Sequence, residues 1–406
     1  MTEQLHSPLS KRTRRGYLTA AATVSLAAMA GCLDGPTDSF GDEADDVTVD
    51  TVVDDLATPW ALAFLSDTQT LITERDSGRL QLVDTDDETM STIDGTPDVD
   101  AAGQGGLLDV VLHPAYPDEP WVYLTYSVAT GGETATELGR GRFEPDAGAL
   151  TEFETLYTAD SVDSNAHYGS RIVFDTDETL YMTIGDRQSK EFGPGHFSQD
   201  LTTDIGSTLR LAADGSVPDD NPFVDDADAV DALFSYGHRN VQGMTIHPET
   251  GALWQADHGE RDGDALVIVE RGENHGWPIA HYGCQYGTDD PVGAEPGERD
   301  DVVDPVYFWE CASGGFPPSG MTFYDGPIDD WQGDLFVGNL AGQYLGRFTV
   351  DDIEADEPTS VAVEEHEPLL ADRGWRVRAV DVAPETGALY VVVDADPAPL
   401  VRLSAE

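Results

Sequence analysis

The chain has 406 residues, 78 of them acidic and 21 basic, for a formal charge of −57. That balance excludes a nucleic-acid partner, since phosphate contacts need clustered Lys and Arg. With 40% hydrophobic and 9% aromatic residues it also excludes an acidic disordered tail, because a sizeable core can be built. Self-repulsion on this scale becomes tolerable when concentrated salt shortens the Debye length to about 3 Å, so the composition reads as that of a halophilic protein.

In chain order, the first element is an address. Thr13-Arg14-Arg15-Gly16-Tyr17-Leu18 is a twin-arginine pattern, followed by an apolar run from Leu18 to Ala30 that is too short to span as a mature helix. Met29-Ala30-Gly31-Cys32 has the form of a lipobox. Residues 1–31 are therefore expected to be an export signal. Cys32 is expected to carry a lipid that holds the protein on the outer face of the membrane, the only membrane contact foreseen. Residues 32–46, rich in Gly, Pro, Asp and Ser, read as a flexible acidic tether. Cys284 and Cys311 are free to pair in that compartment, although sequence alone does not place them within reach.

From Val47 onward a unit recurs: an alternating apolar strand, a turn with Pro, Gly or Asp, then a second strand. Copies begin at Trp60, Leu107, Arg171, Gly243, Gly320 and Arg378, spaced by about 45 to 80 residues. Helical periodicity is nearly absent and turn signals are dense. The expected fold is all-β, a six-bladed β-propeller over residues 47–406.

Propellers bind ligands where the loops of all blades meet at one mouth. The matching strand starts here carry Gly103-Gln104-Gly105-Gly106, His167-Tyr168-Gly169-Ser170-Arg171, Gly237-His238-Arg239-Asn240, Pro317-Pro318-Ser319-Gly320 and Trp375-Arg376-Val377-Arg378. In a chain so poor in cations, repeated arginine at equivalent positions points to an anionic ligand. After the fourth hairpin an acidic loop, Asp257 to Asp264, brings carboxylates to the same mouth.

These residues resemble the glucose/sorbosone dehydrogenase family, the soluble quinoprotein glucose dehydrogenases and aldose sugar dehydrogenases, in a haloarchaeal-type version. The motifs are Pro59-Trp60 with Glu74-Arg75, GQGGLLDV from Gly103, HYGSR from His167 and IGDR from Ile184. GHRN from Gly237, GENHGWP from Gly272 and Arg376-Val377-Arg378 complete the series in the family's order. The resemblance implies oxidation of an aldose at C1 to its lactone, with pyrroloquinoline quinone (PQQ) and Ca²⁺ as cofactors and an external electron acceptor.

Carried over residue by residue, His167 is the implied general base, suited by an imidazole pKa near working pH. Gln104 is a hydrogen-bonding residue on the substrate side. Arg239 and Asn240 meet the quinone end, where Arg239 would stabilise developing negative charge. Arg376 and Arg378 hold cofactor carboxylates from one face of a strand. The backbone carbonyls of Gly259 and Glu260 are the implied calcium ligands, and Asp264 lies near the sugar. Two departures stand out. Ala166 replaces an aspartate of the glucose-active branch, which implies a base without its orienting partner. Ala341 replaces a cofactor-binding lysine, a contact worth about 1.5–3 kcal/mol. A non-catalytic cell-surface binding propeller and a Ca²⁺-dependent lactonase-like hydrolase are the alternatives from other classes.

Overall fold

The computed structural model describes residues 47–351 and 361–405; the export signal, lipobox and tether lie outside the described residues. Six four-stranded antiparallel sheets occupy residues 59–93, 107–158, 169–236, 241–308 and 318–365, with the sixth formed by residues 377–405 and the strand Val47–Leu56. They are numbered here as blades 1 to 6. Their first strands, Pro59–Ser66, Leu107–Leu112, Gly169–Phe174, Val241–Ile246, Pro318–Phe323 and Val377–Val382, pack on one another in sequence. The sixth returns to the first, so the ring is closed. The six-bladed propeller expected from the repeats is the fold observed.

Position in the blade explains the strand sequences. Second strands such as Thr179–Ile184 and Leu389–Val393 are buried along their whole length, because neighbouring blades cover both faces. They accordingly read as continuous apolar runs. Outer strands such as Ala362–Glu365 alternate between exposed and half-buried positions, and there the acidic residues find solvent. Six apolar clusters fill the six seams. Trp254, Tyr123 and Phe336 are fully buried in three of them, and removing a side chain of that size would cost about 3–5 kcal/mol.

The ring is sealed by sequence-distant strands. Val47–Leu56 pairs antiparallel with Ala398–Ala405, matching Val47 to Ala405 at one end and Leu56 to Ala398 at the other.

One irregularity recurs in every blade. The pairing between first and second strand shifts register near the start of the first strand, at Pro59/Leu62, Leu107/Val110, Gly169/Ile172, Val241/Gly243, Pro318/Met321 and Val377/Ala379. A bulge of this kind bends a strand and re-aims its side chains. Six of them at one level make the mouth of the channel, and the side chains of Trp60, Gln242 and Arg378 enter the cavity from these positions.

Candidate active site

The mouth encloses a cavity of about 560 Å³, a size typical of small-molecule sites. Gln104, His167, Arg239, Asn240, Gly259, Glu260, Asp264, Arg376 and Arg378 all line it. The nine residues singled out from sequence thus come together.

His167 sits on a backbone held in the left-handed region, with φ +48°, a conformation that costs a non-glycine residue about 1–3 kcal/mol. Two glycines make it sterically feasible. A Cβ on Gly185 would lie 2.1 Å from the His167 carbonyl oxygen, and one on Gly169 would lie 2.7 Å from the Gly185 nitrogen. The HYGS and IGD segments therefore press backbone on backbone, which carries Asp186 to the imidazole. His167 Nδ1 lies 2.6 Å from Asp186 Oδ1. The carboxylate also accepts the Gln188 N–H at 2.8 Å and the Trp277 indole N–H at 2.8 Å.

The partner that Ala166 does not provide is thus supplied by Asp186, within the IGDR motif. Burial would raise the Asp186 carboxyl pKa, but its bond to His167 and the nearby cations outweigh burial and hold it below the usual range. For His167, burial outweighs the carboxylate and pushes the imidazole below its ordinary value. The pair is a neutral imidazole on an ionised carboxylate. Its Nδ1–H is directed at Asp186, which leaves Nε2 as the accepting nitrogen. Gln104 braces the same residue by accepting the His167 backbone N–H at 2.8 Å.

Across the cavity, Arg239 donates from Nη2 to Glu260 Oε2 at 2.7 Å, with its guanidinium 5.2 Å from the Trp277 ring centre. Glu260 is buried and is also held by the Lys190 ammonium, 2.6 Å from each oxygen. Two cations therefore compensate a carboxylate that would otherwise be costly to bury. Asp257 accepts the backbone N–H groups of Arg239 and Asn240 at 3.0 and 2.7 Å. It is a structural anchor and no mere surface charge. Asn240 Oδ1 in turn accepts the Gly169 N–H at 3.1 Å, tying blade 4 to the His167 turn.

The acidic loop is braced from several sides. Asp264 lines the cavity, yet its two oxygens accept the N–H groups of Gly259 and Phe316 at 2.9 and 2.8 Å, so its carboxylate shapes the loop. Arg261 exchanges two backbone hydrogen bonds with Cys284, both 3.0 Å. Cys284 forms a disulfide with Cys311. Among the described residues the carbonyls of Gly259 and Glu260 accept no hydrogen bond. Two fixed, unpaired carbonyls suit a hard cation, which would take its remaining oxygens from a ligand.

The third wall is cationic. Arg376 donates to Asp394 Oδ2 from Nη2 at 2.9 Å and to the Leu340 carbonyl from Nη1 at 3.3 Å. Arg378 donates to the same Asp394 oxygen at 3.1 Å and to Gln242 Oε1 at 2.9 Å. Burial drags the Arg378 pKa down to about 10. Buried Nε atoms of Arg239 and Arg378 and Nε2 of His258 have no partner among the described residues. Three unpartnered nitrogens on cavity-lining residues fit a flat ligand bearing several anionic oxygens. Ala341 is exposed in the turn beside Leu340. Sequence reasoning missed Asp186, Lys190 and Asp394 as site residues. Asp186 was in a quoted motif, whereas Lys190 and Asp394 carried no local signal.

The model of the glucose/sorbosone dehydrogenase family matches residues 56–402. The aldose sugar dehydrogenase YliI of Escherichia coli is 35% identical over 361 residues, which cover 88% of this chain and 93% of that protein. Quinoprotein glucose dehydrogenase B of Acinetobacter calcoaceticus is 27% identical over 452 residues, covering 93% and 91%. The crystal structure of the soluble aldose sugar dehydrogenase from Escherichia coli in its apo-form superposes with a TM-score of 0.80 at 34% identity, covering 89% of this chain and 100% of that one. The PQQ-bound aldose sugar dehydrogenase from Streptomyces coelicolor shares the fold, with a TM-score of 0.71 at 24% identity over 89% and 98% of the two chains.

Proposed function

The chain belongs to the glucose/sorbosone dehydrogenase family and is a sugar-oxidising oxidoreductase, and on that premise we propose that it oxidises an aldose at C1 to the lactone with PQQ and Ca²⁺. The observation that carries this reading is the His167–Asp186 pair facing an arginine-lined cavity.

Bound in that cavity, PQQ supplies a two-electron acceptor for the hydride that leaves C1. His167 Nε2 takes the proton of the C1 hydroxyl as the C1–H bond breaks, and a carbon–oxygen double bond forms between C1 and its oxygen. Asp186 fixes the tautomer that makes Nε2 the base, and it stabilises the imidazolium that results. Gln104 holds the His167 backbone in its left-handed turn and keeps its amide NH₂ for the sugar. Arg239, oriented by Glu260, stabilises negative charge at the quinone end, with Asn240 beside it. Arg376 and Arg378 grip carboxylates. The carbonyls of Gly259 and Glu260 would hold Ca²⁺. An external acceptor collects the electrons, and the twin-arginine signal and lipobox would place the reaction on the outer face of the membrane.

The test is to add PQQ and Ca²⁺ to the purified protein in molar salt, then an aldose with an artificial electron acceptor. A bound-quinone spectrum and lactone formation are expected. Absence of both removes this reading.

A further inference from the structure

One cation of the cavity has no role so far. Arg75 leaves the second strand of blade 1, Gln69–Glu74, and passes over Gly106, where a Cβ would come within 2.8 Å of its Cγ. It lines the same cavity as Arg376 and Arg378, and its Nη1 lies 4.0 Å from Asp394 Oδ1. Three guanidiniums thus face one half-buried carboxylate, which Arg376 and Arg378 already engage at 2.9 and 3.1 Å. The other partner of Arg75 is Asp76, at 2.7 Å but half-exposed, and an exposed pair of this kind contributes little. The wall therefore carries excess positive charge, in a protein with 78 acidic residues and only 21 basic ones to distribute. Three guanidiniums crowded around a single carboxylate repel one another, a cost that a further anion would relieve. The turn beside this wall supplies no cation, since Leu340 offers its carbonyl to Arg376 and residue 341 is alanine.

We propose that Arg75 is a third guanidinium of the polycarboxylate clamp, gripping a ligand carboxylate that Arg376 and Arg378 do not reach. This rests on the PQQ reading above. Arg75 stands on blade 1 and the other two on blade 6, so the three forks span a seam, as more than one carboxylate on a rigid planar ligand requires.

The experiment titrates ligand-free protein in molar salt and Ca²⁺ with PQQ and, separately, with its trimethyl ester, following the ligand's absorbance. Arg75→Gln is expected to raise the Kd for PQQ by about 10- to 100-fold, as for loss of one charge-assisted contact. The affinity for the ester should be unchanged, because the ester has no carboxylate for Arg75 to grip. Arg75→Lys, which keeps the charge and loses the fork, should fall between the two. Equal PQQ affinity in wild type and Arg75→Gln overturns the proposal. So does an equal loss for PQQ and ester, which would mark a structural role. Failure of the wild type to bind PQQ overturns the functional reading itself, so the two failures are distinguishable.

Discussion

Where blades 2 and 3 meet, both oxygens of Asp186 are satisfied by protein donors and His167 is locked by its backbone and by Gln104. Where blades 6 and 1 meet, three arginines converge on Asp394, and a buried guanidinium nitrogen of Arg378 has no partner. The first region is complete as it stands; the second keeps an unsatisfied donor that an anionic ligand would complete. Proton transfer needs a base whose tautomer and aim do not depend on what is bound, and so it is pre-organised. Tight capture of a polyanion is better served by charges that repel each other until the anion arrives. Substitutions on the two sides should therefore separate rate from affinity.

The largest effect is expected at the base. His167→Ala should lower kcat by about 10²- to 10⁴-fold while PQQ titration stays near wild type; a parallel loss of PQQ affinity would erase the division between the two regions. Asp186→Asn should cost about 10²-fold or more in kcat, because the imidazole loses its orienting partner. The acid limb of kcat/KM in the wild type should lie below pH 6.5, since burial depresses His167. Asp186 opposes that depression, so Asp186→Asn should shift the limb lower still, which a pH–rate profile reads directly.

On the other side, Arg376→Ala should weaken PQQ by about 10- to 100-fold with little change in kcat at saturating cofactor. Ala341→Lys should tighten PQQ by up to about tenfold, as an added ammonium meets a carboxylate; isothermal titration of both variants ranks them. The smallest effect is on stability. His258 is pushed down to about 3 by loss of solvent and by Arg239, and His281 to about 4 for the same reasons. Below pH 6.5 the unfolded chain takes protons that these folded histidines refuse. Stability should thus be full above about pH 6.5 and fall as pH drops toward 4 and 3, a slope that denaturant titrations at fixed salt would reveal.

Much of this is legible in the amino-acid sequence. All six first strands coincide with the six sequence repeats, because each is followed after a turn by a second strand buried on both faces, whose apolar run recurs from blade to blade. The outer strands were harder to read, since half-exposed positions tolerate almost any polar residue. Within the site, the residues found from sequence sit at strand starts, where position in the repeat is informative. Asp186 acts across a backbone contact between two loops, which no spacing rule encodes. Lys190 reaches Glu260 over 70 residues of chain, and Asp394 meets its arginines across strands. Such long-range pairings are set by the closed ring. The Cys284–Cys311 bond belongs to the same class: the sequence allowed it and only the fold brings the two together.

The seal between Val47–Leu56 and Ala398–Ala405 imposes an order on biosynthesis. The first strand of the ring waits for a partner that is made some 350 residues later, and contacts this distant are slow to form. Arg376, Arg378 and Asp394 belong to the same late-completed blade, so a nascent chain has the base side of its site long before the arginine side. Both sides of the site therefore exist together only once the ring has closed. A polypeptide stopped short of residue 376 would display His167 and Asp186, yet lack both arginines and half of the seam meant to hold its two ends together.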